Sequence, residues 1–312
     1  MKYVGYYNGE IGPLEEMKIP MLDRAVYFGD GCYDATTFAN NNIFAADDHL
    51  DRFYNSCKLL EIPFEMSREE LRAELQKCID ANEIDHGMLY WQCSRGTTYR
   101  GHQFPPASVK PNLMIFTVPC DLIPFDKTFR LISMEDTRFL HCNIKTLNLL
   151  PSVAAAQHAK RIGVQETVFH RGDIVTECAH SNVSILKDGV FYSHPNDEFI
   201  LRGIAKTHMI QACYRLGITV MEKCFTLNDL RNADEIIVTS SSNFCLHACE
   251  VDGKPAGGKD PATLPVTTFD NGIAMINTES CAALGYDLAA VKQAFDGKCS
   301  SVLETTTQQN FD

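Results

Sequence analysis

No block of lysine and arginine runs through this chain of 312 residues: 28 basic residues stand against 40 acidic ones, for a net charge of −12 and an isoelectric point near 5.3. That balance excludes a nucleic-acid partner, which calls for a clustered basic face to displace counterions from phosphate. No apolar run reaches the eighteen or so residues of a membrane-crossing helix, so no membrane partner is expected. No secretory leader precedes Tyr3. Internal repeats are absent, and the one low-complexity stretch is the polar tail 299–312. Cysteine, by contrast, is plentiful at 13. An odd count in a long chain without a leader reads as reduced thiols of a cytoplasmic protein, not as a disulfide framework. Cys245, His247 and Cys249 come nearest to a metal pattern. With no Cys-x-x-Cys pair elsewhere they read as small buried hydrophobes, and no metal is expected.

What the chain does have is length enough for two cores, since single cores stop growing near about 250–300 residues. Asn8-Gly9 predicts a hairpin over 3–12. A strand is predicted over 32–38, and Asn40-Asn41-Asn42 turns it back into Ile43-Phe44-Ala45. Asp47-Asp48 opens an amphipathic helix with Leu50, Phe53, Tyr54, Cys57 and Leu60 on one face, and Ser67-Arg68-Glu69-Glu70 has the form of a capping box. Strands follow over 87–93 and 113–118, then 129–134, 166–170, 183–187, 189–193, 219–223 and 235–239, with helices over 149–162 and 205–216. The segments 273–276 and 288–295 read as helical. Short strands with segregated helices indicate an α+β architecture. The expected divisions are a smaller N-terminal α/β domain (1–118), a linker (119–125), a larger β-rich domain (126–298) and a disordered tail (299–312).

Lys145 sits among mostly uncharged neighbours, Cys142-Asn143-Ile144-Lys145-Thr146-Leu147-Asn148-Leu149-Leu150. A lysine in such a setting can lose its proton and attack an aldehyde, as a Schiff-base lysine does. Taken alone, it equally reads as opening a helix and reaching past leucines to water. Downstream, Val175-Thr176-Glu177-Cys178-Ala179-His180-Ser181-Asn182-Val183 puts a carboxylate at the end of a β-rich run, and Leu201-Arg202-Gly203-Ile204-Ala205-Lys206 reads as a turn opening a helix. Such a turn presents N–H groups to a phosphate. An amine for an aldehyde, a carboxylate for a pyridine nitrogen and a phosphate cup together describe a pyridoxal phosphate site.

With Phe28-Gly29-Asp30-Gly31-Cys32-Tyr33, His49-Leu50-Asp51-Arg52 and Arg95-Gly96-Thr97-Thr98-Tyr99-Arg100-Gly101-His102-Gln103-Phe104-Pro105, these motifs resemble the fold-type IV (class IV) aminotransferases, most of all the bacterial D-amino-acid aminotransferases. The resemblance runs to about Val251. It implies a two-domain α+β fold and a homodimer with active sites near the interface. It further implies pyridoxal 5'-phosphate as cofactor, and ping-pong transfer of an amino group from a D-amino acid such as D-alanine to 2-oxoglutarate or pyruvate. In it Lys145 holds the cofactor as a Schiff base and shuttles the proton. Glu177 meets the ring nitrogen, and Arg52, Leu201, Gly203, Ile204, Ser240 and Ser241 complete the cofactor site, with the Arg52 fork gripping two phosphate oxygens. Tyr33, Tyr90, Arg100 and His102 trap the substrate carboxylate, the last three from the partner subunit. His180, which departs from the family pattern, is expected to narrow the side-chain pocket.

Each residue has a plainer role open to it. Arg52 makes an i,i+4 pair with Asp48, Ser240-Ser241 is ordinary turn chemistry, and Arg100 and His102 sit in a polar loop. The chain departs from the D-amino-acid aminotransferases at Ala205, where they have threonine, and at Cys178-Ala179-His180, where they have small residues and serines. Those departures keep open a branched-chain L-amino-acid aminotransferase, an aminodeoxychorismate lyase, an amine transaminase, or a cofactor-binding protein without turnover.

Overall fold

The computed structural model describes residues 1–121, 123–124, 126–258, 273–277, 287–295 and 301–305. Six strands make the first sheet: β1 (Val4–Tyr7), β2 (Glu10–Pro13), β3 (Gly31–Ala39), β4 (Asn42–Ile43), β5 (His86–Ser94) and β6 (Asn112–Val118). They are ordered β2-β1-β6-β5-β3-β4, with every pairing antiparallel. The first hairpin turns at Asn8 and Gly9, both at positive φ, as a two-residue hairpin turn requires. Beside the sheet lie α1 (Arg24–Phe28), α2 (Ala46–Leu59) and α3 (Arg68–Asp80). Ser67 and Glu70 form the predicted capping box at the start of α3.

Period two along β3 and β5 gives this sheet two uses. Cys32, Phe38, Leu89, Trp91 and Cys93 pack on one face against Leu50, Phe53 and Cys57 of α2 and Leu71, Leu75 and Ile79 of α3. Tyr33, Ala35, Thr37, Met88 and Tyr90 alternate with them and line a cavity.

The second sheet has nine strands: β7 (Phe129–Glu135), β8 (Glu166–Arg171), β9 (Ile174–Cys178), β10 (Asn182–Lys187), β11 (Val190–Ser193), β12 (Thr219–Glu222), β13 (Glu235–Ser240), β14 (Phe244–Val251) and β15 (Lys254–Pro255). Their order is β12-β11-β10-β13-β14-β7-β8-β9, with β15 on β14. Parallel pairs join β7 to β8 and β11 to β12. Their crossovers carry α4 (Leu150–Ile162) and α5 (Ile204–Arg215), and α6 (Leu227–Arg231) precedes β13. A separate core of Phe129, Leu131, Val168, Val183, Ile236, Val238 and Leu246 fills this sheet.

Two expectations change. Residues 273–276 are not helical: β16 (Ile273–Asn277) pairs in parallel with β17 (Ser301–Thr305). An apolar run this short has no helical period to read. Residues 301–305, expected within a disordered tail, are thereby a strand, and the rest of 299–312 lies outside the described residues. The helix α7 (Leu288–Phe295) stands where one is predicted. Among the described residues no helix is long and apolar enough to cross a membrane, and every cysteine is a free thiol.

Candidate active site

The cavity behind β3 and β5 has a volume of about 460 Å³. Its other walls are residues 138–149, the turn from β9 into β10, the start of α5 and the end of β13. Lys145 enters from an irregular segment, not from a helix, since α4 begins only at Leu150. Its backbone is tied on both sides. The carbonyl accepts the N–H of Tyr33 at 2.9 Å, its N–H donates to Ser56 Oγ at 3.3 Å, and Leu147 N–H donates to the carbonyl of Gly31 at 3.1 Å. The side chain alone is left to move, and its Nζ lies 4.4 Å from the centre of the Tyr33 ring.

Glu177, at the end of β9, is buried and fully engaged. Its Oε1 accepts Arg138 Nη1 at 2.5 Å, and its Oε2 accepts Asn182 Nδ2 and the N–H of Leu201, each at 3.0 Å. Arg138 is shared, because Asp136 takes its Nε at 2.9 Å and its Nη2 at 3.0 Å. Arg171 adds its Nε to Asp136 at 3.2 Å. Two buried carboxylates thus compete for the same cations, and Asp136 has the better share. Burial also weighs on Asp136, yet Arg138 and Arg171 hold its pKa below the ordinary value. Burial pushes Glu177 up to about 7 despite Arg138. Glu177 is therefore an under-neutralised carboxylate in an apolar setting, ready for one more cationic donor.

Gly203 caps α5 at φ −71° and ψ 135°, a conformation open to any residue. Its glycine is required by space: a Cβ there would collide with the side-chain oxygen of Asn182. Asn182 in turn donates to the carbonyl of Leu201 at 2.9 Å. No side chain caps the helix, its first residues Ile204 and Ala205 line the cavity, and the first-turn amides of a helix have no partner within it, which makes them donors for an anion. Arg52 lines the same region, but its fork is not free. Nε and Nη2 bond Asp34 at 2.8 and 2.7 Å, and Nη1 donates to the carbonyl of Arg202 at 3.3 Å. Against the expected grip of the fork on two phosphate oxygens, two of its three nitrogens are thus engaged by Asp34 and the third meets a backbone carbonyl. The i,i+4 pair with Asp48 is not made either, since Asp48 pairs with His208 at 2.9 Å. Buried Asp34 also holds Nδ1 of His49 at 2.8 Å, and Nε2 of that ring lies 3.5 Å from Ser241 Oγ. Ser240 instead closes a turn, accepting the N–H of Asn243 at 3.1 Å.

On the substrate side Tyr33, Tyr90 and His180 line this chain's own cavity. Tyr90, expected to reach in from a partner subunit, thus also stands in the wall of its own chain's cavity. The register pairs Ala35 with Tyr90, so Tyr90 stacks on Tyr33 with ring centres 5.2 Å apart, and its hydroxyl donates to Gln92 at 2.9 Å. Arg100 and His102 are exposed and pack on Phe28, at 4.8 and 5.2 Å from its ring centre. Neither lines the cavity of its own chain. Arg24 fixes their loop, donating to the carbonyl of Gly101 at 2.8 Å.

The residues present fit the expected cofactor. A donor cup of Arg52, helix amides and Ser241 suits a phosphate, the under-neutralised Glu177 suits a basic ring nitrogen, and Lys145 suits an aldehyde. Two wall hydroxyls, Thr37 Oγ1 and Thr239 Oγ1, are buried with no hydrogen-bond partner among the described residues. Asp34, Asp136 and Arg138 carry no role in the sequence reading, and His49 enters it only as part of the motif that holds Arg52. Only a charged residue predicted on an apolar face, as at Asp34 within β3, gives any signal of them.

The amino-transferase class IV family matches residues 31–251. The D-alanine aminotransferase of Staphylococcus aureus (strain MSSA476) is 36% identical over 265 residues, covering 84% of this chain and 93% of that protein. That of Listeria monocytogenes serotype 4b (strain F2365) is 37% identical over 257 residues, covering 81% and 89%. Among solved structures, the branched-chain aminotransferase of Thermoproteus uzoniensis with norvaline superposes with a TM-score of 0.75, is 21% identical and covers 85% of this chain and 90% of that one. A further branched-chain amino acid aminotransferase, complexed with N-(5'-phosphopyridoxyl)-L-glutamate, superposes with a TM-score of 0.74 at 24% identity, covering 81% and 87%. Both are likenesses of fold alone. On a family match spanning most of the sequence and on relatives aligned over nearly their whole length, the chain belongs to the class IV aminotransferases.

Proposed function

We propose that this chain is a pyridoxal-5'-phosphate-dependent D-amino-acid aminotransferase, moving the amino group of a donor such as D-alanine to 2-oxoglutarate or pyruvate in two half-reactions. The observation that carries the reading is the 36% identity across 93% of a D-alanine aminotransferase, in a chain whose cavity holds both Lys145 and Glu177. Bound there, the cofactor supplies an aldehyde for the substrate amine and a ring that accepts the electrons of the substrate carbanion.

The chain's own residues do the rest. Lys145 would take the proton from the substrate α-carbon and pass it to the aldehyde-derived carbon of the cofactor, work suited to an amine held by its backbone with its side chain in the cavity. Glu177, gripped by Arg138, Asn182 and the Leu201 N–H, keeps the ring nitrogen protonated. Arg52, the amides of Ile204 and Ala205, and Ser241 hold the phosphate, while Gly203 and the Leu201 backbone set the distance between that cup and Glu177. Tyr33 offers its phenol to the substrate carboxylate, and Tyr90 contributes its ring face.

Arg100 and His102 complete the carboxylate trap in the cavity of a second copy. Their absence from their own chain's cavity wall supports this. So does a set of large apolar side chains left exposed: Met21 at 88%, Leu150 at 79% and Val153 at 60%. Such surface favours burial in a homodimer. The separate cores of the two sheets support domains at 1–118 and 126–298 with a linker at 119–125, and the free thiols support a cytoplasmic enzyme.

The test is a half-reaction followed by absorbance, with cofactor-loaded protein given D-alanine, L-alanine, L-leucine or an achiral amine separately. The expected result is conversion of the cofactor band with D-alanine. Conversion only with L-leucine or the amine would overturn the reading.

A further inference from the structure

His180 follows Glu177 by three residues, and the structure gives it a partner that the proposed reaction does not use. Its Nδ1 lies 2.9 Å from Oε2 of Glu166, a carboxylate at the start of β8 with no exposed surface. Ser181 Oγ donates to the same oxygen at 3.0 Å and sits 3.3 Å from Nδ1. The other carboxylate oxygen accepts the N–H of Thr167 at 2.9 Å. Glu166 is thus fixed by its neighbours and in turn fixes the imidazole: Nδ1 faces inward, which leaves the opposite edge, with Nε2, for a ligand. The ring is 55% exposed and belongs to the cavity wall together with Lys145 and Tyr33. Burial disfavours a charged ring here, but the Glu166 carboxylate outweighs it and raises the pKa above its ordinary value.

The other cations of the cavity are spent. Arg52 is bound by Asp34, and Arg138 by Asp136 and Glu177. Lys145 is committed to the chemistry. His180 is different because its counter-ion Glu166 engages Nδ1, and among the described residues Nε2 has no hydrogen-bond partner, which leaves a donor on a residue of the cavity wall. A serine or alanine at this position would offer no charge. An imidazolium N–H offers a charge-assisted hydrogen bond, whose natural acceptor is a carboxylate.

We propose that His180, positioned by Glu166 and Ser181, binds the second carboxylate of a dicarboxylic substrate such as 2-oxoglutarate, so that this site, which still admits D-alanine and pyruvate, holds a dicarboxylic acid more tightly than a monocarboxylic acid of the same length. The inference rests on the aminotransferase reading for the identity of the substrates, and not for the binding itself.

The test is calorimetric titration of the cofactor-loaded protein with glutarate and with pentanoate, which match in length and differ by one carboxylate. Wild-type protein is expected to bind glutarate about ten-fold more tightly, and H180S and H180A to lose that preference with the loss falling on glutarate, as removal of one charge-assisted bond predicts. E166Q, which keeps the shape behind the ring and removes its charge, is expected to lower the preference as well. His180 is exposed, so its variants remain interpretable if E166Q fails to fold. An unchanged glutarate-to-pentanoate ratio in H180S, or an equal loss for both ligands, would overturn the proposal. Because calorimetry needs no turnover, a protein inert toward every amino acid would refute the enzymatic reading while leaving this result to stand or fall by itself.

Discussion

Glu177 shows how unevenly charge is shared among buried residues. Arg138 reaches both Glu177 and Asp136, but Asp136 takes two of its nitrogens and a further bond from Arg171. One carboxylate ends below its ordinary pKa and the other is pushed up to about 7. The sign of the consequence is fixed by linkage. Between pH 4.5 and 7 the native cofactor-free protein keeps a proton on Glu177 that the unfolded chain has released. Stability from this group is therefore fully present below pH 4.5 and is lost as pH rises through 7, by on the order of 3 kcal/mol. His180, also raised, acts in the same direction, and His49, held low chiefly by burial, in the opposite one. Comparison with E177Q isolates the Glu177 share: urea unfolding of the cofactor-free proteins should show the wild type losing stability relative to E177Q between pH 5 and 7. Parallel curves would mean that Glu177 is ionised throughout.

At the scale of elements, the site depends on two short connections, the turn from β9 into β10 and the cap of α5. Asn182 links them, bonding Glu177 on one side and the Leu201 carbonyl on the other, and Gly203 leaves room for it. G203A should displace Asn182, at a cost of about 1–3 kcal/mol for overpacking a filled site. Both the melting temperature and the retention of cofactor on gel filtration should fall together. A variant that melts like wild type and keeps its cofactor would show that the gap at Gly203 closes without moving Asn182. These connections were legible in the sequence because the residues act through local backbone: Leu201 to Lys206 reads as a turn into a helix, and Ser67 to Glu70 as a capping box. The supports that come from distant strands were not. Asp34 meets Arg52 and His49 only because β3 packs on α2, and Arg138 meets Glu177 across 39 positions of sequence. The strand β14 was hidden because its alternation of Cys245, His247 and Cys249 with Leu246 and Ala248 reads first as a thiol and imidazole cluster. Its buried half, Leu246 and Ala248, joins the second core.

For the whole molecule the question is which chain supplies the carboxylate trap. Arg100 and His102 are held on Phe28 by a loop that Arg24 anchors, and they stand outside the cavity that contains their own chain's Lys145. If they serve a second copy, each site combines Lys145 from one chain with Arg100 from the other, and the two defects can be placed on separate chains. K145A and R100A homodimers should each be nearly inactive, since both sites carry the defect. Unfolded and refolded together in equal amounts, half of the dimers formed would be hybrids. In a hybrid one site unites both substitutions, while the other has an intact lysine and an intact arginine. The mixture should regain about one quarter of wild-type activity, as random pairing into a two-fold dimer dictates. If Arg100 instead served its own chain's site, every site in every hybrid would carry one defect, and mixing would restore nothing. Recovery near a quarter, read with sedimentation that shows a dimer, would establish that each site is completed by Arg100 of the other chain.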